Sequence, residues 1–486
     1  MKKFKIFKYG FSNNFYKFRE KWSDFWSNKD ITKKILFTAF ILLIYVLATT
    51  ITSPFVKLVV QDNNESLVDK DAFLNTLNLV GGGGLRNFSL VALGISPFIN
   101  ASLIMSLLQT RLFPPIQKLS QSGPHGRRKL NIITRVLTLV IAYPQAILLT
   151  QSLHAGENPF ISFTPIAGTN TEALTVYFIL PLILIGGSLF SLFLAEQITN
   201  KGIGNGTSLI IFVGIAFQIP AQFKGAFRYF IQDGQGSAIF VGFLKFLTYL
   251  FTYLLVIFII ALIYNTERHI PIQQIGAGRS KNIKEMGKLP VKLNPGGIMP
   301  IIFATMLISF PLMIARILPA ESTAKIWMEA NLQFTEPLGL TLLILITFFF
   351  SFIIGLQQSR IDKIAEDFAK NSTFIPGIKP GEQTEDYLIG IVLRLCMFSG
   401  FYLVSIVSMQ YLQIILLDWP QVISFGGTGM VILVTVSLET IQQFKARLQS
   451  AKLSKQKILS RETYETSTTI KDKIKDIKTN GDGLLW

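Results

Sequence analysis

This sequence predicts an all-α polytopic membrane protein of ten transmembrane helices in two inverted, pseudo-symmetric five-helix halves. Three observations predict it. Half of the 486 residues are hydrophobic, 12% are aromatic and only 15% are charged, whereas a soluble domain carries about 25% charge. Ten apolar runs punctuate the chain, most of them close to the roughly 20 residues a hydrocarbon core demands. Third, residues 94–103 read G-I-S-P-F-I-N-A-S-L and residues 297–306 read G-I-M-P-I-I-F-A-T-M. Gly, Ile, Pro, Ile and Ala recur at identical offsets, and Ser102 matches Thr305. Five helices between the copies give the halves opposite orientation and make the paired helices face one another across an in-plane pseudo-two-fold axis.

Residues 1–34 form a leader that mixes Lys5, Lys8 and Lys17 with Phe4, Phe7, Tyr16, Phe18, Trp22, Phe25 and Trp26. It reads as an amphipathic helix on an anionic leaflet rather than a specific partner site. No cleavable signal peptide is expected, because the first run begins only after these 34 residues and no small-residue cleavage site follows. The N-terminal half, 35–225, holds the runs Ile35–Ile51, Val91–Leu108, Ile133–Leu153, Leu174–Phe193 and the short Ser208–Ile219. Phe73–Leu90, before the second run, contains Gly81–Gly84, Arg86 and Asn87 and is too polar to span. From its residues it is either a re-entrant segment plugging the bundle or an ordinary external loop with a glycine turn.

The C-terminal half, 226–443, holds Ile239–Tyr264, Gly297–Leu318, Leu338–Leu356, Ile389–Leu412 and Thr428–Ile441. Two of its connections, 265–293 and 357–386, are long, charged and rich in Gly and Pro, which suits exposed docking loops. The tail, 444–486, carries ten basic and five acidic residues and reads as a solvated extension, helical to about Leu453. Lys and Arg number ten in 1–34, five in 109–130, six in 265–293 and four in 357–386, against none in 154–172 or 413–427. The positive-inside rule therefore puts both termini in the cytoplasm. Most of the net charge of +17 is this bias.

What the spans lack excludes several classes. No Asp, Glu or His lies in the middle of a run; Lys245 and Arg316 sit near external ends, Arg394 and Glu439 near cytoplasmic ends. Ion-coupled carriers want intramembrane ionisable groups, so a secondary small-solute transporter is the weaker alternative. Cys396 is the only cysteine, and His125, His154 and His269 lie in three different connections. No catalytic set, cofactor or metal site is expected. G-I-G-N-G at 202–206 follows no strand and lacks the lysine of a phosphate-binding loop. A passage sealed by aliphatic side chains remains.

Several stretches carry a family resemblance: K-D-I-T-K-K-I-L-F-T (29–38), L-G-I-S-P-F-I-N-A-S (93–102), S-G-P-H-G-R-R-K (122–129), E-Q-I-T-N-K-G-I-G-N-G-T-S-L-I-I-F (196–212), L-P-V-K-L-N-P-G-G-I-M-P-I-I-F-A (289–304), F-I-P-G-I-K-P-G-E-Q-T (374–384) and F-G-G-T-G (425–429). Over roughly residues 25–448 the chain resembles the SecY family, channel-forming subunits of the bacterial protein translocase. The resemblance implies a clamshell of two five-helix halves with a re-entrant plug, and a non-enzymatic channel. Such a channel passes unfolded secretory polypeptides across the plasma membrane and releases hydrophobic segments sideways into lipid.

Carried over motif by motif, the resemblance puts the pore ring at Ile95, Ile99, Ile211, Ile302 and Ile432, and the plug at about 77–88 with Leu77, Gly81, Gly84, Arg86 and Phe88. It puts the lateral gate at the second and seventh helices, with Pro97, Asn100, Pro300 and Thr305. Read alone, each isoleucine is an ordinary core or lipid-facing residue. Ribosome and motor docking would fall on Arg268, Arg279, Lys281, Lys284, Lys288, Arg360 and Lys379, residues that also serve topology. The implied partners are SecE and SecG, the SecA motor, the translating ribosome, a YidC-type insertase, signal peptides, nascent chains and anionic lipids. An accessory channel for a few dedicated substrates is the alternative within the family.

Two departures stand out. Lys379 occupies the place of the family's usual arginine, and lysine makes no planar bidentate contact. The basic pair after the sixth helix is reduced to Arg268-His269, with G-A-G at 276–278 nearby.

Overall fold

The computed structural model describes residues 29–58, 74, 78, 81–109, 113–154, 161–163, 175–231, 237–274, 287–319, 321–451, 453 and 454. The leader up to residue 28, Leu77, the basic residues Arg279, Lys281 and Lys284, and the tail beyond 454 lie outside them.

The first half contains α1 (Lys29–Thr50), strand β1 (Val56–Leu58), α2 (Ser96–Leu108), α3 (Pro114–Gln121), α4 (Gly123–His154), β2 (Ile161–Phe163), a π-helical turn Thr175–Ile179 leading into α5 (Leu180–Lys201), α6 (Gly206–Ala216) and α7 (Ile219–Ile231). The second contains α8 (Ser237–Asn265), β3 (Glu267–Gln274), β4 (Gly287–Lys292), α9 (Met299–Ile317), α10 (Thr323–Asn331), α11 (Pro337–Ser359), α12 (Ile361–Lys370), β5 (Thr373–Phe374), α13 (Glu382–Leu417) and α14 at 427–451. Among the described residues, each of the ten apolar runs overlaps a helix. Seven described helical segments are long and apolar enough to cross a membrane, while α2 and α9 are shorter apolar helices.

The fifth run is longer than its apolar stretch. It is built from two helices, α6 and α7, broken at Phe217–Gln218. Pro220 sits in the first turn of α7, where its missing N–H costs nothing but where α6 could not have run straight on. α7 continues through Gly225 to Ile231, past the expected boundary between halves.

Two small antiparallel sheets mark opposite ends of the bundle. β1 pairs with β2, with Lys57 opposite Ser162. At the other end the strands run in the order β4-β3-β5. Arg268 lies opposite Val291 and Gln273 opposite Phe374. The connections at 265–293 and 357–386, expected as two separate loops, are thus joined in one sheet.

Lipid-facing and buried sides separate cleanly along α8: Phe240, Phe251 and Phe258 are exposed, while Tyr249, Val256 and Ile260 are buried. An unpaired apolar face is what hydrocarbon favours, because every backbone group is satisfied within the helix. Small residues set the close pairing of α11 with α13. A Cβ on Gly355 would lie 2.4 Å from the Cys396 sulfur, and one on Gly400 2.7 Å from the Phe348 ring; Ser351 also donates to the Cys396 carbonyl at 3.3 Å. Close approach of this kind replaces the missing hydrophobic drive between helices in lipid.

The buried residues form three apolar clusters. One lies toward the β1–β2 end and includes Phe88, Tyr249 and Phe425. A second, at the β3–β5 end, includes Ile270, Ile361, Ile375 and Cys396. The third lies at the waist.

Candidate functional site

The waist is assembled by the two echoed helix starts. Gly94 and Gly297 both hold positive φ, +52° and +59°, a conformation glycine adopts without a Cβ penalty. The next residues cap the helices in nearly the same conformation, Ile95 at φ −90°, ψ −2° and Ile298 at φ −91°, ψ −14°. Pro97 and Pro300 follow in the first turns, where proline is tolerated. The Ser102 hydroxyl donates to the Ile99 carbonyl and the Thr305 hydroxyl to the Ile302 carbonyl, each at 2.9 Å. The echo is therefore a repeat of backbone and side-chain geometry as well as of letters.

Ile95 at the cap of α2, Ile99 on α2, Ile211 on α6, Ile302 on α9 and Ile432 on α14 are brought into one buried cluster. None exposes more than 7% of its surface. Ile41 and Tyr45 of α1, Ile198 of α5 and Ile354 of α11 complete the packing. The cluster is built of branched aliphatic side chains, which offer water and ions no hydrogen bonds.

Residues 81–88 enter this waist from the β1–β2 side. Gly81, Gly84 and Phe88 are buried and Arg86 is half-buried. Asn78 Oδ1 accepts from the amides of Leu85 and Arg86 at 3.0 and 3.3 Å, which closes the segment into a compact turn. Phe88 stands at φ +39°, unusual for a bulky residue, with its carbonyl accepting from the Ser53 amide at 2.9 Å. Arg86 lines a cavity of about 80 Å³ beyond the cluster, together with Gln218, Gln222, Gln410, Gln421 and Phe425.

The seam between the halves runs where α9 packs against α2 and α4. Pro97, Pro300 and Thr305 are buried there and Asn100 is half-buried. Two contacts absent from the sequence expectations lie beside it. Gln145 of α4 donates to Ser96 of α2 at 2.9 Å, and the Gln357 side chain of α11 donates to the Ser106 carbonyl at the C-terminal end of α2. Below them, Ser106, Gln109, Arg127, Asn131, Arg360 and Lys363 line a groove of about 950 Å³. Neither glutamine carries a pattern signal: each is one amide within or at the edge of an apolar run.

At the β3–β5 end, Arg268 on β3, Lys288 on β4, Arg360 and Lys379 are all exposed. Arg360 holds φ +43° between α11 and α12. Lys379 lies between Gly377 and Gly381, both at positive φ, and its carbonyl accepts from Thr384 Oγ1 at 2.8 Å. Buried Ile375 roots this tip in the cluster beneath. On α12, Lys370 donates to Glu366 at 2.7 Å. This hydrogen bond lowers the Glu366 carboxyl and raises the Lys370 ammonium from their ordinary values; both are fully in solvent, where such pairs contribute little. Among the described residues no group of three or more His, Cys, Asp and Glu could hold a metal ion.

A family model described as SecY matches residues 89–441. The protein translocase subunit SecY of Mycoplasma capricolum subsp. capricolum is 37% identical over 426 residues, covering 87% of this chain and 88% of that one. Two solved structures share the fold. One, described as a protein-conducting channel, superposes with a TM-score of 0.58 at 15% identity, covering 85% of this chain and 91% of the other. The second is Sec61 in the canine ribosome–channel complex from the endoplasmic reticulum, with a TM-score of 0.55 at 16% identity and the same coverage.

Proposed function

The chain belongs to the SecY family, and from that premise we propose how its parts work as a protein-conducting channel. It is the channel subunit of the Sec translocon, a multi-pass membrane protein and not an enzyme. In the proposed mechanism Ile95, Ile99, Ile211, Ile302 and Ile432 form the pore ring, residues 77–88 are the plug, and the α2–α9 seam is the lateral gate. The observation that carries this is the convergence of five isoleucines from four helices, distant in sequence, on one dry cluster.

Physical chemistry supports each role. Aliphatic side chains have no fixed polar preference, so any unfolded sequence can slide past them while a closed ring stays dry. A hydrophobic segment in the channel gains roughly 25 cal/mol for each Å² of apolar surface removed from water. A seam that parts toward lipid lets it collect that gain. Proline within the first turn of both α2 and α9 leaves these helix starts with one donor fewer to satisfy on parting.

The β3–β5 end is assigned to the cytoplasm of a bacterium, both termini with it, on the Lys/Arg asymmetry. Arg268, Lys288, Arg360 and Lys379 there suit contact with ribosomal RNA phosphates and with the SecA motor, and basic loops make such contacts without sequence readout. A motor or ribosome must supply the work, since 202–206 is no nucleotide loop. SecE, SecG, a YidC-type insertase and anionic lipids are the remaining proposed neighbours, resting on family membership. The test is a photo-crosslinker at position 211 in membranes carrying a stalled secretory chain. Cross-links to that chain are expected; their absence, with cross-links forming at lipid-facing Phe251 instead, overturns the pore assignment.

A further inference from the structure

We propose that Tyr45 latches the plug in its closed seat, a positioning residue acting through one buried hydrogen bond. This inference rests on reading residues 77–88 as the plug. Tyr45 lies on α1, exposes none of its surface and packs in the same cluster as the five isoleucines. Its hydroxyl donates to the Gly82 carbonyl at 2.9 Å and lies 3.4 Å from the Gly81 carbonyl. Gly82 stands at φ +94°, and a Cβ there would come within 2.2 Å of the Tyr45 oxygen. The hydroxyl thus occupies the room that glycine leaves.

The opposite side of the segment is seated just as closely. A Cβ on Gly214 of α6 would lie 2.3 Å from the Gly82 carbonyl carbon, so the plug backbone crosses α6 with no side chain between. Gly214 is three residues from Ile211 and four from Ile210, whose Cγ2 lies 3.3 Å from the Gly82 Cβ position. The segment is clamped between a ring helix and a tyrosine of α1, at the level of the ring.

A phenol buried among isoleucines must find a partner, and here the partner is plug backbone. While the waist is dry, withdrawing the plug strands both the hydroxyl and the Gly82 carbonyl without water. Once a chain has entered and wetted the waist, water satisfies both and the penalty disappears. The bond therefore resists spontaneous opening and stops resisting during translocation. One other tie reaches α1, from the exposed Asn87 side chain to the Thr49 carbonyl at 3.4 Å; just past α1, the Ser53 amide donates to the Phe88 carbonyl and the Leu90 amide to the Ile51 carbonyl, all near the segment's end. Tyr45 is a side-chain tie at the level of the ring, and one that a substitution can remove.

The experiment is conductance of the purified channel complex in planar bilayers without substrate, for Tyr45→Phe, Tyr249→Phe and a variant lacking residues 77–88. Tyr249 is a control: its hydroxyl donates to the Ile423 carbonyl at 3.0 Å, a comparable buried bond outside the waist. Tyr45→Phe is expected to raise the conducting fraction about fivefold, the size of one ordinary buried hydrogen bond, while its melting temperature falls no further than that of Tyr249→Phe. The 77–88 variant should conduct and Tyr249→Phe should stay at the wild-type baseline. A leaking 77–88 variant beside a silent Tyr45→Phe overturns the latch and leaves the plug standing. Equal leakage from both tyrosine variants overturns it too, by showing general loosening. Silence of the 77–88 variant overturns the plug reading, and the latch with it.

Discussion

Gln145 on α4 donates through Nε2 to the Oγ of Ser96 on α2 at 2.9 Å, inside the seam that α9 closes. Both side chains are buried, and the Gln145 Oε1 is buried with no hydrogen bond among the described residues. A half-satisfied buried amide costs about 1–3 kcal/mol. On the proposed reading of the α2–α9 seam as a lateral gate, water reaching the parted seam relieves that cost, so the glutamine weights the proposed gate toward opening.

Replacing both partners by apolar groups, Gln145→Leu with Ser96→Ala, should therefore tighten the gate. The expected outcome is about fivefold slower translocation of substrates with weakly hydrophobic signal segments, taking about 1 kcal/mol of added closed-state stability. Strongly hydrophobic signals should be affected less. Translocation rates into proteoliposomes measure it, and faster export of weak signals would contradict the sign.

Ile99 and Ile302 hold equivalent places in the echo and meet in the waist cluster. Ile99→Asn with Ile302→Asn puts two amides into the collar, which should wet it and raise resting ion conductance well above baseline. Insertion should be normal, because neither position faces lipid: both are buried. Unchanged single-channel conductance of the folded variant would make these isoleucines packing residues.

The echo was legible because Gly94 and Gly297, Pro97 and Pro300, and Ser102 and Thr305 each answer a local backbone demand that fixes the residue type. Apolar runs were legible for the same reason, as lipid enforces length and composition. The β4-β3-β5 sheet was not, because it pairs Gln273 with Phe374, polar and apolar residues about a hundred positions apart with no alternation to announce a strand. Tyr45 and Gln145 were also invisible. Each acts through one partner brought near by tertiary packing, Gly82 and Ser96 respectively, and a single polar atom in an apolar run has no period.

Gly214 tests the seat of the plug from its other side. Gly214→Ala adds a methyl where the Gly82 carbonyl carbon stands 2.3 Å away, too close for backbone to yield without moving. Alanine favours the helix itself by about 1 kcal/mol over glycine, so α6 should form as before while the plug is displaced. Raised resting conductance with unaltered helical content is expected. A silent variant would show that residues 81–88 shift without unsealing the channel.

Lys379 sits exposed at a tip held by two positive-φ glycines and rooted by Ile375. Lys379→Glu should leave the bundle folded, since the side chain is exposed, yet weaken ribosome binding to detergent-solubilised channel. If Lys379 meets a phosphate, the slope of log affinity against log salt should fall by about 1. An unchanged slope and unchanged export would assign the lysine to topology alone.

The orientation has a chemical readout that uses the chain's single thiol. Cys396 is buried on α13, so the wild-type protein in intact cells should not react with an impermeant maleimide. In a Cys396→Ala background, a cysteine placed at Asp418, the exposed left-handed residue that ends α13, should react from outside. One placed at Lys288 on β4 should react only after the membrane is opened, because the Lys/Arg count puts the β3–β5 end in the cytoplasm. Labelling at 288 in intact cells, with none at 418, would invert the bundle. The basic residues assigned to docking would then face away from any ribosome or motor.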